Sequence, residues 1–326
     1  MTTLTRRAFV GTAAAACVAK PAIVRAAEPL NVSVVLGNSI HWVQFVAADK
    51  GFYKEAGFEP KVLALQSSPQ SIQMALSGGF HVATSQPESF VAAVQQGATV
   101  LAAMSAPTNK TDWVLTGARG VKSLADLKGK IIGVSSLRTS EVWLTSKLME
   151  KSGIPRDSYN FKMAGTSPAK VAALESAAGD IGAAVLFQPS AEVAIRQGLV
   201  PLARYEDMRD YPTILYVVNK DWAAKGDAGK RVSHVIQRSH AWLWDPANRT
   251  EALNILAKYT KRDMAILQTI YDDYFVRGKF YSKTGEVDRE GLKAALADMA
   301  EDGAVFKVAP PPEKFLLDKN LGGLWS

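Results

Sequence analysis

The sequence predicts an α/β protein of two similar lobes, and three observations carry that expectation. First, the chain repeats itself: Ala75-Leu76-Ser77-Gly78-Gly79-Phe80-His81-Val82-Ala83 is echoed further along by Ala173-Leu174 and Gly179-Asp180-Ile181-Gly182-Ala183. In each copy an amphipathic helix ends at glycine and a short apolar strand follows. Second, short apolar runs alternate with helical periodicities, the pattern that builds parallel sheets. Third, 326 residues with 48% hydrophobic content exceed what one core usually organises and suffice for two.

Residues 32–36 form the expected first strand, followed by a helix that ends near Glu55, where Gly57 can take the left-handed cap conformation. A second strand is expected over 62–65. The helix after Pro69 places Ile72, Ala75 and Leu76 at the spacing of a buried face. Strands over 82–84 and 100–104 complete the first series. The pattern then restarts with a turn of helix within 123–130, a strand over 131–134 and a helix carrying Val142, Thr145 and Met149. Further strands are expected near Phe161 and over 181–186, 200–203 and 214–218. The remainder is helical. Asp263 can cap a helix burying Ile266, Leu267, Ile270 and Tyr274, and Asp288 one burying Leu292, Ala295, Leu296 and Met299. Such a tail makes no third sheet and is expected to pack on the first lobe. Lobe I then comprises residues 27–116 and 213–326 and lobe II residues 117–212, with crossings near 114–118 and 211–216.

Arg6-Arg7 stand ahead of a weakly apolar, alanine-rich run and a Val24-Arg25-Ala26 cleavage pattern, which reads as a twin-arginine export signal over residues 1–26. No other stretch approaches the roughly 18 uncharged apolar residues of a membrane span. A periplasmic location follows. Loss of the signal removes Arg6, Arg7, Lys20 and Arg25 and lowers the formal net charge from +7 to +3. The remaining charges are scattered, without the basic stripe and interleaved aromatics of a nucleic-acid surface. Cys17 leaves with the signal, so no disulfide or thiol chemistry survives. Lipoprotein anchoring at Cys17 is disfavoured, because Ala14-Ala15-Ala16-Cys17 lacks the leucine usual there. The histidines His41, His81, His234 and His240 have no metal-ligand spacing, and neither a G-x-S-x-G elbow nor a phosphate loop appears. These observations point to a binding protein with no cofactor and no metal rather than to an enzyme.

Ala47-Ala48-Asp49-Lys50-Gly51-Phe52-Tyr53-Lys54-Glu55-Ala56-Gly57-Phe58, then Ala75-Leu76 with Gly78 or Gly79, then the 123–130 segment running into Gly133-Val134, then Gly179-Asp180 before Ala183-Ala184, form an ordered set. It resembles the solute-binding proteins of nitrate/sulfonate/taurine-type ABC transporters. The resemblance implies a type II periplasmic-binding-protein fold, two parallel-sheet lobes joined by two hinge crossovers. It implies capture of a small organic, anionic solute (sulfonate, taurine, nitrate-type or carboxylate) by lobe closure and delivery to an inner-membrane permease, the protein itself being a monomer. The family also includes thiamine-pyrimidine precursor binding proteins and pyrimidine-synthase-like enzymes. Those enzymes rely on a cysteine-rich segment, which a mature chain without cysteine lacks. His81 stands where the family often has an acid and is expected to be a satisfied surface histidine.

In open parallel sheets, ligands sit outside the carboxyl ends of strands, where loops enter helices. Loops so placed carry Asn38, Ser39, His41 and Trp42 after the first strand, Ser67 and Ser68 after the second, and Ser85 and Gln86 after the third. In the second lobe Ser135, Ser136, Arg138, Thr139 and Gln188 hold corresponding places. The hydroxyls, helix-start N–H groups and Arg138 can hold an oxyanion; equally, Thr139 or Ser140 can simply cap a helix with Arg138 in solvent, and Ser68-Pro69 is itself a good helix start. His41 and Trp42 can stack on a flat ligand or close the first core. Tyr211 and Trp113 lie near the expected crossings, and Phe187 reads as a cleft wall. Replacing Arg6 and Arg7 together by Lys is expected to leave precursor in the cytoplasm of the producing cell. Normal periplasmic accumulation on cell fractionation would rule out twin-arginine dependence.

Overall fold

The computed structural model describes residues 26–326, apart from Leu36, Gln66, Ala177, Ala178, Glu206, Asp207, Arg209 and Ala304. The paired arginines, the alanine-rich run and Cys17 lie outside the described residues. The first series runs β1 (Glu28–Val35), α1 (Trp42–Asp49), α2 (Phe52–Glu55), β2 (Phe58–Leu65), α3 (Ser68–Leu76), β3 (Val82–Ser85), α4 (Pro87–Gln95) and β4 (Leu101–Ser105). The chain then crosses to β5 (Val114–Gly117), β6 (Ile131–Val134), α5 (Ser140–Lys151), β7 (Asn160–Met163), α6 (Ser167–Glu175), β8 (Ile181–Leu186), α7 (Ser190–Arg196) and β9 (Val200–Arg204). It returns to β10 (Leu215–Asn219), α8 (Lys220–Ala224), α9 (Ala228–Trp244), α10 (Arg249–Thr260), α11 (Met264–Tyr271) and α12 (Arg289–Asp302).

Two five-stranded sheets result, ordered β2-β1-β3-β10-β4 and β7-β6-β8-β5-β9. They correspond strand for strand. The two halves of the sequence echo, α3–β3 and α6–β8, occupy equivalent places. Neither sheet is wholly parallel, contrary to the sequence expectation: β10 runs antiparallel to β3 and β4, and β5 antiparallel to β8 and β9. The cause is the crossing itself. Strands β1–β3 and β6–β8 point their carboxyl ends at the cleft between the sheets, so a chain arriving across that cleft enters the other sheet from the carboxyl end and must run backwards. Residues 114–116, expected in the first lobe, already belong to the second sheet.

Apolar packing follows this plan. One side of the first sheet, including Val32, Val34, Met104 and Val218, packs under α1 and α9–α11. Its other side packs on α3, α4 and α12, and this cluster runs on into the second sheet through Leu115, Ile132 and Val134. The far side of the second sheet is covered by α6 and α7. Helix α12 therefore does more than pad the first lobe: Lys147 on α5 pairs with Asp298 at 2.5 Å. Asp288 caps α12 by accepting the Glu290 N–H at 3.1 Å, whereas Asp263 precedes α11 without a side-chain bond. Ile72 and Ala75 are buried on α3, but Leu76 at its last turn is 39% exposed. No helix among the described residues is long and apolar enough to cross a membrane.

Trp42 belongs to this core. It is fully buried, edge-on to Tyr271 and Phe275 at centroid distances of 6.0 and 5.5 Å, and its Nε1–H donates to Ala252 O at 3.0 Å. Its neighbours come from the helical tail, so stacking on a ligand is ruled out in this arrangement. Trp42→Ala is expected to cost about 3–5 kcal/mol of folding stability, measured by denaturant unfolding. A loss under about 1 kcal/mol would contradict a core role, since surface substitutions stay within roughly half that.

His41 and His240 are also fully buried. Burial pushes His41 down to about 3 and His240 to about 4, the latter against partial support from Ser282 O, 2.7 Å from Nδ1. The unfolded chain then binds more protons below its ordinary histidine value of about 6.5, so this stability is present above that pH and is lost as pH falls toward 4. Asp112 acts oppositely: burial raises its carboxyl to about 6, and it offsets part of the loss below that pH. Comparison with His240→Gln isolates the imidazole. The variant's unfolding free energy should fall less steeply than wild type between pH 6.5 and 4.5, by about 1 kcal/mol per pH unit. Equal slopes would mean that His240 is not held neutral.

Candidate functional site between the lobes

A cavity of about 400 Å³ lies between the sheets at the strand ends. Six helix starts reach it: Asn38 ahead of a single helical turn, Ser67 to Pro69 on α3, Gln86 and Ser89 on α4, Ser136 and Thr139 on α5, Gly165 to Ala169 on α6, and Gln188 and Ser190 on α7. A helix start carries N–H groups without partners inside the helix and a partial positive charge. Gly37 and Gly165, with φ of +67° and +77°, turn the chain sharply after β1 and β7 in a left-handed conformation that a side chain would strain. Phe187, Ile214, Val35 and Pro168 supply the apolar lining, and among the described residues no charged side chain lines the cavity.

Hydrogen bonding gives this lining a direction. Ser68 Oγ accepts the Gln86 N–H at 3.0 Å, and Ser167 Oγ accepts the Phe187 N–H at 3.1 Å. These are equivalent bonds in the two lobes, each joining a helix start to the residue after the central strand. Ser67 Oγ accepts from Gln70 N at 3.4 Å, Asn38 Oδ1 from Ile40 N at 3.0 Å, and Gln188 Oε1 from Glu192 N at 3.3 Å. Ser135 Oγ accepts from Lys170 Nζ at 3.0 Å. With these oxygens engaged, each group keeps its O–H or N–H to give. Thr139 is the exception, donating to Ser136 O at 3.0 Å.

Of the residues singled out in the sequence, Asn38, Ser67, Ser68, Gln86, Ser135, Ser136, Thr139, Gln188 and the expected cleft wall Phe187 meet at this cavity. The other candidate ligand contacts do not. Trp42 lies in the core, and His41 is buried beside Tyr216, with ring centroids 6.3 Å apart. Ser39 is buried, and its N–H donates across the lobes to Gln188 O at 3.2 Å. Ser85 ends β3 inside the sheet and donates to Gln86 O at 2.9 Å. Arg138 forms, with Leu137, the solvent-exposed tip of its loop, so the expected guanidinium contact is absent from the lining. Tyr211 ties the second crossing to the first lobe: its O–H donates to Glu88 Oε1 at 2.7 Å, and the same oxygen accepts the Ser140 N–H of α5 at 2.8 Å. Burial raises the Glu88 carboxyl, with those bonds opposing. His81 is half-buried at the amino end of β3, its Nδ1 accepting the Asn31 N–H at 2.9 Å.

Sequence reasoning missed the whole 165–169 segment, which forms much of the second lobe's wall. The signal was present, since Thr166-Ser167-Pro168 repeats Ser67-Ser68-Pro69. The sequence places strand β7 only near Phe161, which leaves the bounds of the loop after it open. Ser89 and Ser190, inside the first turns of α4 and α7, were missed because only the loops ahead of those helices were considered.

A family model described as NMT1/THI5 like matches residues 38–248. A protein of Brucella abortus, provisionally named a binding protein, is 27% identical over 230 residues, covering 69% of each chain. Among solved structures, a ligand binding component of an ABC-type import system from Staphylococcus aureus, with zinc bound, has a TM-score of 0.75 at 13% identity, covering 90% of this chain and 98% of that one. The alkanesulfonate-binding protein SsuA from Xanthomonas axonopodis pv. citri, bound to MOPS, has a TM-score of 0.69 at 15% identity, covering 91% and 98%. At such identities the structural likeness is one of fold. Among the described residues no group of three or more His, Cys, Asp or Glu could hold a metal ion. Two corresponding sheets around a cavity at their strand ends, with a family match over residues 38–248, make this chain a member of the NMT1/THI5-like family with the fold of ABC-importer solute-binding proteins.

Proposed function

We propose that this protein is the periplasmic substrate-binding component of an ABC importer, closing its lobes on a small organic anion and delivering it to a permease. The carrying observation is the inter-lobe cavity ringed by six helix starts, where the oxygens of Asn38, Ser67, Ser68, Ser135, Ser167 and Gln188 already accept a hydrogen bond and leave an O–H or N–H to give. Such a surface suits an oxyanion such as a sulfonate or carboxylate, with Phe187, Ile214 and Val35 against its organic part. The alkanesulfonate bound by the Xanthomonas protein of the same fold supports that class. Closure is favoured by solute because both lobes contribute contacts only when together, and the segments between β4 and β5 and between β9 and β10 are the hinge. Among the described residues the lining holds no carboxylate, imidazole, thiol or amine to serve as general base or nucleophile, which supports binding without turnover. The family match and the Phe187 face support a second reading, a pyrimidine precursor of thiamine as the solute.

A thermal-shift series with nitrate, butanesulfonate, butyrate and a hydroxymethyl-aminopyrimidine tests both readings. A cognate class at about 100 times its dissociation constant adds roughly 2.7 kcal/mol of stability. Ser68→Ala and Ser167→Ala should each weaken an anionic hit by about 1.5–3 kcal/mol, the range for a hydrogen bond to a charged partner. Stabilisation by the pyrimidine alone selects the second reading. If no compound stabilises the protein, or an anion's affinity survives both substitutions, the anion assignment fails; chemical conversion of a bound compound, seen by mass spectrometry, would refute the non-enzymatic role.

A further inference from the structure

Behind the second lobe's wall lies an ion pair outside the cavity lining. Lys170 on α6 and Glu141 on α5 are both fully buried, with Nζ 2.9 Å from Oε2. The same Oε2 accepts the Ser135 N–H at 3.0 Å, while Lys170 Nζ donates to Ser135 Oγ at 3.0 Å. Lys170 Nζ also sits 5.2 Å from the centre of the Phe187 ring, and Phe187 and Ser135 both line the cavity. Apolar residues of similar volume would join α5 to α6 without the desolvation cost of two buried charges, so packing alone gives no reason for this pair.

An ammonium has three hydrogens to donate and no lone pair. Its bond to Ser135 Oγ therefore fixes that oxygen as acceptor on the inner side and sends the hydroxyl hydrogen elsewhere. Glu141 Oε1 makes no hydrogen bond, and no described residue takes the Ser135 hydrogen. The open direction is the cavity. We propose that Lys170 and Glu141 are positioning residues that set the polarity of Ser135, holding its hydroxyl as a donor so that this wall selects an acceptor oxygen over an N–H of the solute. The inference rests on the anion reading above. A neutral lysine amine would reverse the bond, leaving Ser135 as an acceptor toward the solute. Burial lowers the Lys170 ammonium while Glu141 opposes that shift.

Two measurements test it. In the ligand-free protein, nitrogen-15 NMR should show Lys170 Nζ as an ammonium at pH 7; a neutral amine there overturns the proposal. Calorimetry should then compare butanesulfonate with butanesulfonamide, and butyrate with butyramide, in wild type, Ser135→Ala and the double variant Lys170→Met/Glu141→Met. Wild type should prefer the anion, and both variants should lose about tenfold of that preference. If no anion binds wild type, the anion reading falls and takes this inference with it. If an anion binds and the cooperatively melting double variant keeps the preference within twofold, the positioning role alone is wrong. Should the double variant not fold, Ser135→Ala and the ammonium signal decide in its place: an undiminished preference in Ser135→Ala overturns the proposal.

Discussion

The direction of the strands is the constraint on which the rest depends. Parallel strands end at one edge, helices start there, and the chain joins two such sheets across that same edge. From this follow the backward strands β5 and β10, the strand-for-strand correspondence of the two sheets, and a cavity ringed by helix starts. None of these needs a special residue. Serine, threonine, asparagine and proline at the strand-to-helix turns are what helix initiation requires, and the same turns present donors to whatever enters. Capping uses one side of these hydroxyls and leaves the other toward the cavity.

The cleft is also where the lobes hold one another. Glu88 of α4 joins the start of α5 and the second crossing through a single carboxylate oxygen, and Ser39 and Gln188 join the lobes through the backbone. Arg196 on α7 reaches Thr269 on α11 at 3.1 Å. Apart from Arg196 these ties are buried, where a hydrogen bond meets little competition from water. Charged groups thus surround the cavity at one remove while its surface stays uncharged.

Much of this was legible in the sequence because it depends on local chemistry. The strand and helix order, the echo of α3–β3 in α6–β8, and nine of the cavity residues follow from periodicity and from the loops at the carboxyl ends of strands. The misreadings have a common cause. Trp42 and His41 stand one turn beyond Asn38, and whether they face the cleft or the core is settled by α10, α11 and the segment after them, more than 200 residues away. Arg138 has the charge an anion site invites, but the turn that directs Ser136 and Thr139 inward leaves it at the tip. The sheets were read as parallel because local alternation records each strand's neighbours in sequence and carries nothing about a visitor from the other lobe.

The uncharged lining has a kinetic side. Electrostatic steering needs a field that reaches beyond contact distance, and salt erodes that field over about 8 Å at physiological ionic strength. Helix ends and hydroxyl donors act within a turn or a bond length, so they hold an anion that has arrived but do little to gather one from solution. On the proposed reading, capture by this cleft then proceeds at the pace of unaided diffusion and changes little between dilute and salty surroundings. Discrimination among solutes then resides in how long each stays rather than in how fast each comes.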